Sequence, residues 1–475
     1  MNLKQRLGAP WPDQDVTGLC EHTAEVFAGC AFFAVATDAE VALDHGRQAL
    51  AQGARLVISQ HDLPLEQAMY YPHLVAERGE LAAQCYGRPT EQLTCIGVTG
   101  TNGKTSVAYY IAGLSDLLGI NCGYIGTLGW GRLNALHDPN MTTPNPTALQ
   151  RQLAQLVEAG CERVAIEVSS HALAQRRAHA VPFCAGVFTN LTRDHLDYHG
   201  TMAAYAAAKM QLFTDFPIVV AVLYVADPLS EQIAARVQAR VVRYGQASAD
   251  TDNAVDWCWR RMPDNTIQWQ VPGATLCRDV PVIADFALDN VTAALAVMVE
   301  LGATLNALSD VLGELPAVPG RMEIVARASG HGTVVVDYAH TPDALEKALQ
   351  ALRNACAGRL ICVVGCGGDR DKGKRPQMAR VASQLADITW LTSDNPRTEP
   401  PLSILKDMQA GVVEAGGQVH THADRREAIR RALLDAEVQD VVLIAGKGHE
   451  DYQEVGRERL PFDDRAVARS LLAEI

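Results

Sequence analysis

The stretch Ile96–Ser106, I-G-V-T-G-T-N-G-K-T-S, restricts the possible fold more than any other part of the chain. An apolar lead, Leu93–Val98, has the composition of a buried strand. Lys104, Thr105 and Ser106 open a helical run, Val107–Leu118. Strand, glycine turn and helix start together make a phosphate cradle. Gly100 and Gly103 let successive backbone N–H groups face one anion, and the helix N-terminus adds partial positive charge. In such a cradle Lys104 reaches the outer phosphates and the Thr105 hydroxyl sits on Mg²⁺. The strict pattern G-x-x-x-x-G-K-[ST] is broken at its first position, where Val98 replaces glycine.

A chain of 475 residues, 48% hydrophobic and 20% charged, has room for two to four ordinary globular domains. Its net charge of −14 argues against a general nucleic-acid binder, because the surface repels phosphate backbones. An anionic small molecule stays possible, since a local cluster of cations and metal overrides the mean. The twelve cysteines are scattered, without a C-x-x-C pair, and read as reduced core thiols. The first fifteen residues lack an apolar signal core, and the longest apolar runs, such as Pro217–Ala226, are too short to span a bilayer. The expectation is a cytoplasmic monomer with no nucleic-acid partner and no membrane span.

Three units are expected. Residues 1–91 carry strands at Ala31–Ala36 and Ala54–Ser59, with helices at Glu40–Gln52 and Tyr70–Cys85. The linker is Gly87-Arg88-Pro89-Thr90. Residues 92–320 alternate strands (Cys95–Thr99, Val164–Val168, Ala185–Asn190, Ile218–Val225) with helices such as Pro146–Ala159, Met202–Phe213 and Asp289–Leu301. That is the pattern of a parallel sheet covered on both faces. The Trp-rich stretch Val241–Val280 reads as an antiparallel insertion. Residues 321–475 alternate again, with strands at Thr333–Tyr338, Leu360–Gly365, Ile388–Thr392 and Val441–Ala445 and helices at Pro342–Cys356 and Arg425–Asp435.

In open α/β sheets, ligand groups lie just beyond the carboxyl ends of strands. Glu167 ends one apolar run and is placed like the acid that helps hold Mg²⁺ in phosphate-loop enzymes; a capping or surface role suits it as well. Two Asp and two His follow another strand in Asp194-His195-Leu196-Asp197-Tyr198-His199, either as ligands or as a polar loop. Lys209 is the single charge on the alanine-rich Ala203–Phe213, where a lysine stem lying on apolar surface is the plain alternative. The segments Asp337–Asp343, Gly365–Arg375, Ser393–Arg397 and Gly446–Asp451 each follow a strand of the third unit. A solvated loop explains any one of them, but four in one domain suggest a site.

Taken together these residues resemble the Mur ligases, the ATP-dependent amide-bond ligases that build the peptidoglycan stem peptide, and above all the diaminopimelate-adding branch. The resemblance covers about Leu93 to Tyr452. It is carried by TGTNGKT (99–105), TTP (142–144), EVSSHALAQRR (167–177), NLTRDHLDYHG (190–200), AAAKMQLF (206–213), DNVTAAL (289–295), GRMEIV (320–325), DYAHTPDALEKAL (337–349), GCGGDRDKGKRP (365–376), DNPR (394–397) and GKGHEDYQ (446–453). It implies a three-domain α/β protein: an N-terminal UDP-binding domain, a central phosphate-loop domain with a parallel sheet, and a C-terminal Rossmann-like amino-acid-binding domain.

The resemblance also implies a chemistry. The D-glutamate γ-carboxylate of UDP-N-acetylmuramoyl-L-alanyl-D-glutamate attacks the γ-phosphate of ATP, and the amine of meso-diaminopimelate then attacks the acyl phosphate. Gly100, Thr101, Asn102, Gly103, Lys104, Thr105, Ser106, Asn290, Arg321 and Asp337 would bind ATP. Thr105 and Glu167 map onto one Mg²⁺, and Glu167, His195 and Lys209 onto a second, with Lys209 carrying a CO₂-derived carbamate. Lys104, Lys209, His195 and Glu167 are thus the expected catalytic group. Thr23, Thr142, Thr143, Ser169, Gln175 and Arg177 map onto the UDP-muramoyl-dipeptide site; Arg370, Asp394, Asn395, Pro396, Arg397, Gly446 and Glu450 onto the diaminopimelate site.

One region departs from the family pattern. Asp-Ser-Arg followed by Gly-Asp-Leu-Phe is replaced by His22-Thr23-Ala24 and Gly29-Cys30-Ala31-Phe32, so only a hydroxyl survives at the uridine end. A lysine-adding relative, a folylpolyglutamate-synthase-like ligase and a nucleotide switch are the competing readings. The TTP and SSHALAQRR segments favour the muramoyl substrate, and a switch needs no second metal site.

Overall fold

The computed structural model describes residues 1–474 apart from 140, 248–254, 265, 283, 329–331 and 413–415. It divides into two compact units, Met1–Asp279 with Asp289–Leu315, and Val280–Leu288 with Pro316–Ile475. The architecture is α/β throughout, built on three principal sheets.

Within the first unit a small all-parallel sheet joins Leu19–Cys20, Ala31–Ala34, Leu56–Ser59 and Ala68–Tyr70. Its inner strands are buried on both faces, between the helices Ala39–Ala51 and Leu74–Cys85. The sequence pattern ran that second helix back to Tyr70, but Ala68–Tyr70 is a strand. Pro72 explains the difference, because it drives the residue before it into extended backbone and lets a helix begin only afterwards.

The large sheet of the same unit has eleven strands. Seven run parallel, in the order Trp257–Arg261, Arg240–Gln246, Val220–Tyr224, Phe183–Phe188, Thr94–Thr99, Arg163–Glu167 and Cys122–Gly126. Antiparallel pairs extend both edges. The Trp-rich stretch is therefore not a separate insertion throughout. Arg240–Gln246 and Trp257–Arg261 continue the parallel sheet, and only Ile267–Val271 and Ala274–Arg278 reverse; 248–254 and 265 lie outside the described residues. Buried Leu153, Leu156, Ile166, Val168, Phe183, Phe213 and Leu223 fill one side of this sheet.

The second unit has six strands in the order Glu323–Ala328, Gly332–Asp337, Val441–Ala445, Leu360–Cys366, Ile388–Ser393 and Gln418–Thr421. All but the first run parallel. Each of the four central strands is buried along most of its length, as a sheet packed on both faces requires. Val441–Ala445 lies between Gly332–Asp337 and Leu360–Cys366, so the loops after residues 337, 366, 393 and 445 emerge side by side.

Candidate functional site

The strand Thr94–Thr99 runs between Phe183–Phe188 and Arg163–Glu167, with Thr99 opposite Phe188 and Val98 opposite Glu167. Three carboxyl ends therefore meet at the glycine loop. Gly100 has φ +151°, and a Cβ there would collide with the Thr189 hydroxyl, so only glycine fits. The segment after Phe188 clamps the loop. The Thr101 N–H donates to Asn190 O (2.8 Å), the Asn102 N–H to Asn190 Oδ1 (2.9 Å) and the Thr189 hydroxyl to Asn102 O (2.5 Å). Lys104 and Thr105 open the helix Lys104–Leu117.

Two lysines converge on this loop. Lys104 Nζ donates to the carbonyls of Gly100 (2.9 Å) and Thr101 (2.8 Å), and Lys209 Nζ donates to the same Gly100 carbonyl at 2.7 Å. Lys209 comes from the helix Met202–Thr214, is 1% exposed, and stands 4.4 Å from the centroid of the Tyr205 ring one turn earlier. Burial, with the Lys104 charge added, drives its amine well below the usual lysine range. A neutral amine is the form that can take up CO₂.

Glu167, 0% exposed, faces the start of the loop's helix. Its Oε2 accepts from the Thr105 hydroxyl (3.0 Å) and the Thr127 hydroxyl (3.1 Å). Its Oε1 accepts from Tyr124 OH (2.5 Å) and the Thr127 N–H (2.8 Å). Gly126 makes this approach possible, since a Cβ there would overlap the Glu167 carboxylate. His195 follows with left-handed backbone (φ +51°), its Nε2 3.5 Å from Asp194 Oδ2 and its ring edge-on to His171 at 4.8 Å. Burial lowers its pKa; Asp194 opposes that, and Lys104 and Lys209 reinforce it. Asn290 sits at the loop as well, its Oδ1 2.5 Å from where a Gly103 Cβ would lie.

The structure brings four of the six expected muramoyl-site residues into one hydrogen-bonded group. Thr143 donates its hydroxyl to Glu167 O (2.6 Å) and accepts the Ser169 N–H (3.0 Å). Arg177 donates to Gln175 Oε1 (2.9 and 2.6 Å) and to Thr143 O (3.0 Å). Thr142 is linked through Thr127, hydroxyl to hydroxyl at 3.3 Å. Thr23 stands apart in the short turn Thr23–Glu25. There His22 Nδ1 accepts the Ala24 N–H at 3.2 Å, doing locally what a capping Asp would do.

In the second unit Asp337 accepts the N–H groups of Met322 (2.7 Å) and Ala339 (2.9 Å). Burial raises its pKa, partly offset by Arg321, whose guanidinium lies 4.5 Å from the Tyr338 ring centroid. Asp394 and Asn395 follow the strand Ile388–Ser393, and a Gly446 Cβ would press on Asp394 Oδ2 at 2.7 Å. Asn395 Nδ2 donates to Glu450 Oε2 (2.9 Å). Arg397, with φ +49° just after Pro396, donates from Nε to Glu454 (2.7 Å) and from Nη1 to Gly368 O (2.9 Å). Arg370 is exposed, and its Cγ shares the space beside Gly367 with the Arg397 guanidinium.

Sequence reasoning passed over Tyr124, Thr127, Tyr205, Lys447 and Glu454. Tyr205 carried a signal, being four residues before Lys209 on one helix face. Tyr124 and Thr127 carried none, because the strand Cys122–Gly126 contains two glycines and reads poorly as a strand.

Fold and geometry define a phosphate-loop α/β protein. Residues 98–298 match the Mur ligase middle domain and residues 320–448 the Mur ligase, glutamate ligase domain. A UDP-N-acetylmuramoyl-L-alanyl-D-glutamate–2,6-diaminopimelate ligase from Vibrio vulnificus (strain YJ016) is 41% identical, covering 99% of this chain and 98% of its own. One of the same name from Coxiella burnetii (strain RSA 493 / Nine Mile phase I) is 46% identical, covering 83% and 81%. A solved structure of such a ligase superposes with a TM-score of 0.72 at 35% identity, covering 100% of this chain and 99% of its own. The MurF ligase of Thermotoga maritima in complex with ADP has the same fold, with a TM-score of 0.63 at 18% identity and 96% of each chain covered. The chain belongs to the Mur ligase family.

Proposed function

We infer that the protein is an ATP-dependent ligase that joins meso-2,6-diaminopimelate to the D-glutamate γ-carboxylate of UDP-N-acetylmuramoyl-L-alanyl-D-glutamate. The observation that carries this reading is the meeting of Lys104 and Lys209 at the Gly100 carbonyl, beside the Thr105–Glu167 contact. The relatives named for that reaction supply the substrates.

In the first step a carboxylate oxygen bonds to the γ-phosphorus of ATP, the bond to the β-phosphate oxygen breaks, and ADP leaves. In the second, the diaminopimelate amine bonds to the acyl carbon, phosphate departs and the amine sheds a proton. Attack of one anion on another requires cations at the reacting oxygens. Lys104 supplies one, held by the loop it covers. The backbone of Gly100–Gly103, with Ser106 behind it, cradles the phosphates; Asn290, Arg321 and Asp337 serve the rest of the nucleotide.

The donor set suits Mg²⁺. The Thr105 hydroxyl and the Glu167 carboxylate already touch, both are oxygen ligands, and Mg²⁺ prefers oxygen. Beyond them, no group of three His, Cys, Asp or Glu side chains that could hold a metal occurs among the described residues. Lys209 can fill that gap. Its neutral amine adds CO₂ and releases a proton, turning a buried lysine into an anionic oxygen ligand that would join Glu167 and His195, as the family resemblance implies. Bound Mg²⁺ supplies charge neutralisation at the transferring phosphate. Thr142, Thr143, Ser169, Gln175 and Arg177, with Thr23 at the uridine end, hold the muramoyl-dipeptide; Arg370, Asp394, Asn395, Pro396, Arg397, Gly446 and Glu450 receive the amino acid. No helix among the described residues is long and apolar enough to cross a membrane. The cytoplasm is the proposed location, and the twelve unbridged cysteines agree with a reducing compartment.

The test is a substrate panel read by product mass and ADP release. ADP should appear only when UDP-muramoyl-dipeptide and diaminopimelate are both present, with lysine and ornithine poor substitutes. Steady ATP hydrolysis with neither substrate would overturn the reading in favour of a switch. Arg397→Ala should raise KM for diaminopimelate by ~10²-fold and leave KM for ATP unchanged, because the distal carboxylate loses a charged, partly buried partner.

A further inference from the structure

The four loops at the carboxyl ends of the second unit's strands contain a lysine that the reaction has not used. Lys447, in the G-K-G of residues 446–448, has a side chain that is 0% exposed. A fully buried ammonium is costly unless its hydrogen bonds are satisfied and its charge is met. Here both go to two residues of the proposed diaminopimelate site: Nζ lies 2.9 Å from Glu450 Oε2 and 3.1 Å from Asn395 Oδ1. The Glu454 N–H donates to the same Asn395 oxygen at 2.9 Å. With two pure donors on Oδ1, the Asn395 amide has one orientation, and its Nδ2 donates to Glu450 Oε2 at 2.9 Å.

The result is an asymmetric carboxylate. Oε2 of Glu450 takes two donors, whereas Oε1 takes no side-chain or backbone donor among the described residues, and the side chain is 18% exposed. Arg397 is treated likewise. Nε is held by Glu454 and Nη1 by Gly368 O, and Nη2 takes no protein acceptor among the described residues. One anionic and one cationic atom remain for a ligand that carries an ammonium and a carboxylate together.

We propose that Lys447 is a positioning residue for amino-acid selection. Without touching the amino acid, it locks Glu450 and Asn395 so that Glu450 Oε1 alone is offered to the ligand's ammonium. The proposal rests on the reading of this pocket as the diaminopimelate site. Uncharged Lys447→Met frees Glu450 to rotate and leaves Asn395 with one donor fewer. Lys447→Gln keeps a donor without the charge.

The experiment is steady-state kinetics on the full chain with all three substrates, alongside thermal unfolding of each variant. In Lys447→Met, KM for diaminopimelate should rise ~30-fold, with KM for ATP and for UDP-muramoyl-dipeptide within about twofold of wild type. Lys447→Gln should recover part of that loss, and it carries the test if the methionine variant does not fold. Glu450→Gln should cost little further in the Lys447→Met background, because both act through one carboxylate. An unchanged KM for diaminopimelate in a folded variant, or an equal rise for ATP, would overturn the proposal. Wild-type enzyme that makes no diaminopimelate product would instead overturn the function on which it rests.

Discussion

The glycine loop around Gly100 and the pocket around Asn395 manage charge in opposite ways. At the loop, two lysine ammonium groups share one backbone carbonyl, and one of them is driven toward its neutral form by burial and by its neighbour. In the pocket, three cations each meet an opposite charge: Lys447 with Glu450, Arg397 with Glu454, Arg425 with Asp464. The loop's electrostatics are completed by what binds there, whereas the pocket is neutralised and shaped beforehand. Removing a lysine from the loop should therefore cost chemistry and spare the fold. Removing a charge from the pocket should cost selectivity or stability.

The largest effect is expected at Lys209. Lys209→Met should lower turnover by ~10³-fold or more, since the proposed mechanism puts this group at the transferring phosphate. A short carboxylic acid added to Lys209→Ala should restore part of the rate. Lys209→Met should also stabilise the fold. The folded-state pKa of Lys209 lies below its unfolded value, so at pH below the folded pKa the full cost of burying the charge opposes folding. That cost fades as pH rises toward the unfolded value. In CO₂-free buffer at neutral pH the methionine variant should therefore melt higher than wild type, and the gap should close as pH rises. A lower melting point at neutral pH would break the comparison at its first half.

A local motif is legible because its geometry is contiguous. The phosphate loop, the acid at the end of Arg163–Glu167 and the strand-helix alternation of both large sheets could all be read from residue pattern. The pocket's residues were visible as four polar segments after four strands. Their pairing was not, because Lys447 with Asn395 and Arg397 with Glu454 are 52 and 57 residues apart and meet only through sheet order. Glycine-bearing Cys122–Gly126 hid Tyr124 and the approach to Glu167 for a related reason: its glycines serve tertiary packing, and they weaken the local strand signal.

The second half of the comparison is sharpened at Asp464. Arg425 and Asp464 are both fully buried and joined by two bonds, at 2.7 and 2.6 Å. Arg425 also donates to Ser393 O (3.3 Å) and Ala445 O (3.0 Å), the last residues of the strands that carry Asp394 and Gly446. Asp464→Asn leaves an uncompensated buried guanidinium and should cost about 3–5 kcal/mol of stability. Urea unfolding would show this as a lower midpoint with an unchanged slope. A loss below about 1 kcal/mol would mean that the pocket tolerates an unmatched charge.

The smallest effect is expected at the pocket's rim, and it separates burial from charge pairing as the source of pre-shaping. Arg459 also pairs with Glu454, Nε to Oε1 at 3.2 Å, and its guanidinium lies 4.4 Å from the Tyr452 ring centroid. It is 66% exposed, whereas Arg397, on the other oxygen of Glu454, is 23% exposed. Exposed pairs are screened by water and salt and contribute about 0–1 kcal/mol. Glu454 would also keep Arg397 as its partner once Arg459 is gone. Arg459→Ala should therefore raise KM for diaminopimelate by ~3-fold at most, and that rise should vanish as ionic strength increases. The Arg397→Ala defect should persist in the same salt series, because most of that side chain is buried. If the two variants matched in size and salt response, pairing alone would set the pocket, and burial would have no part in the contrast with the loop.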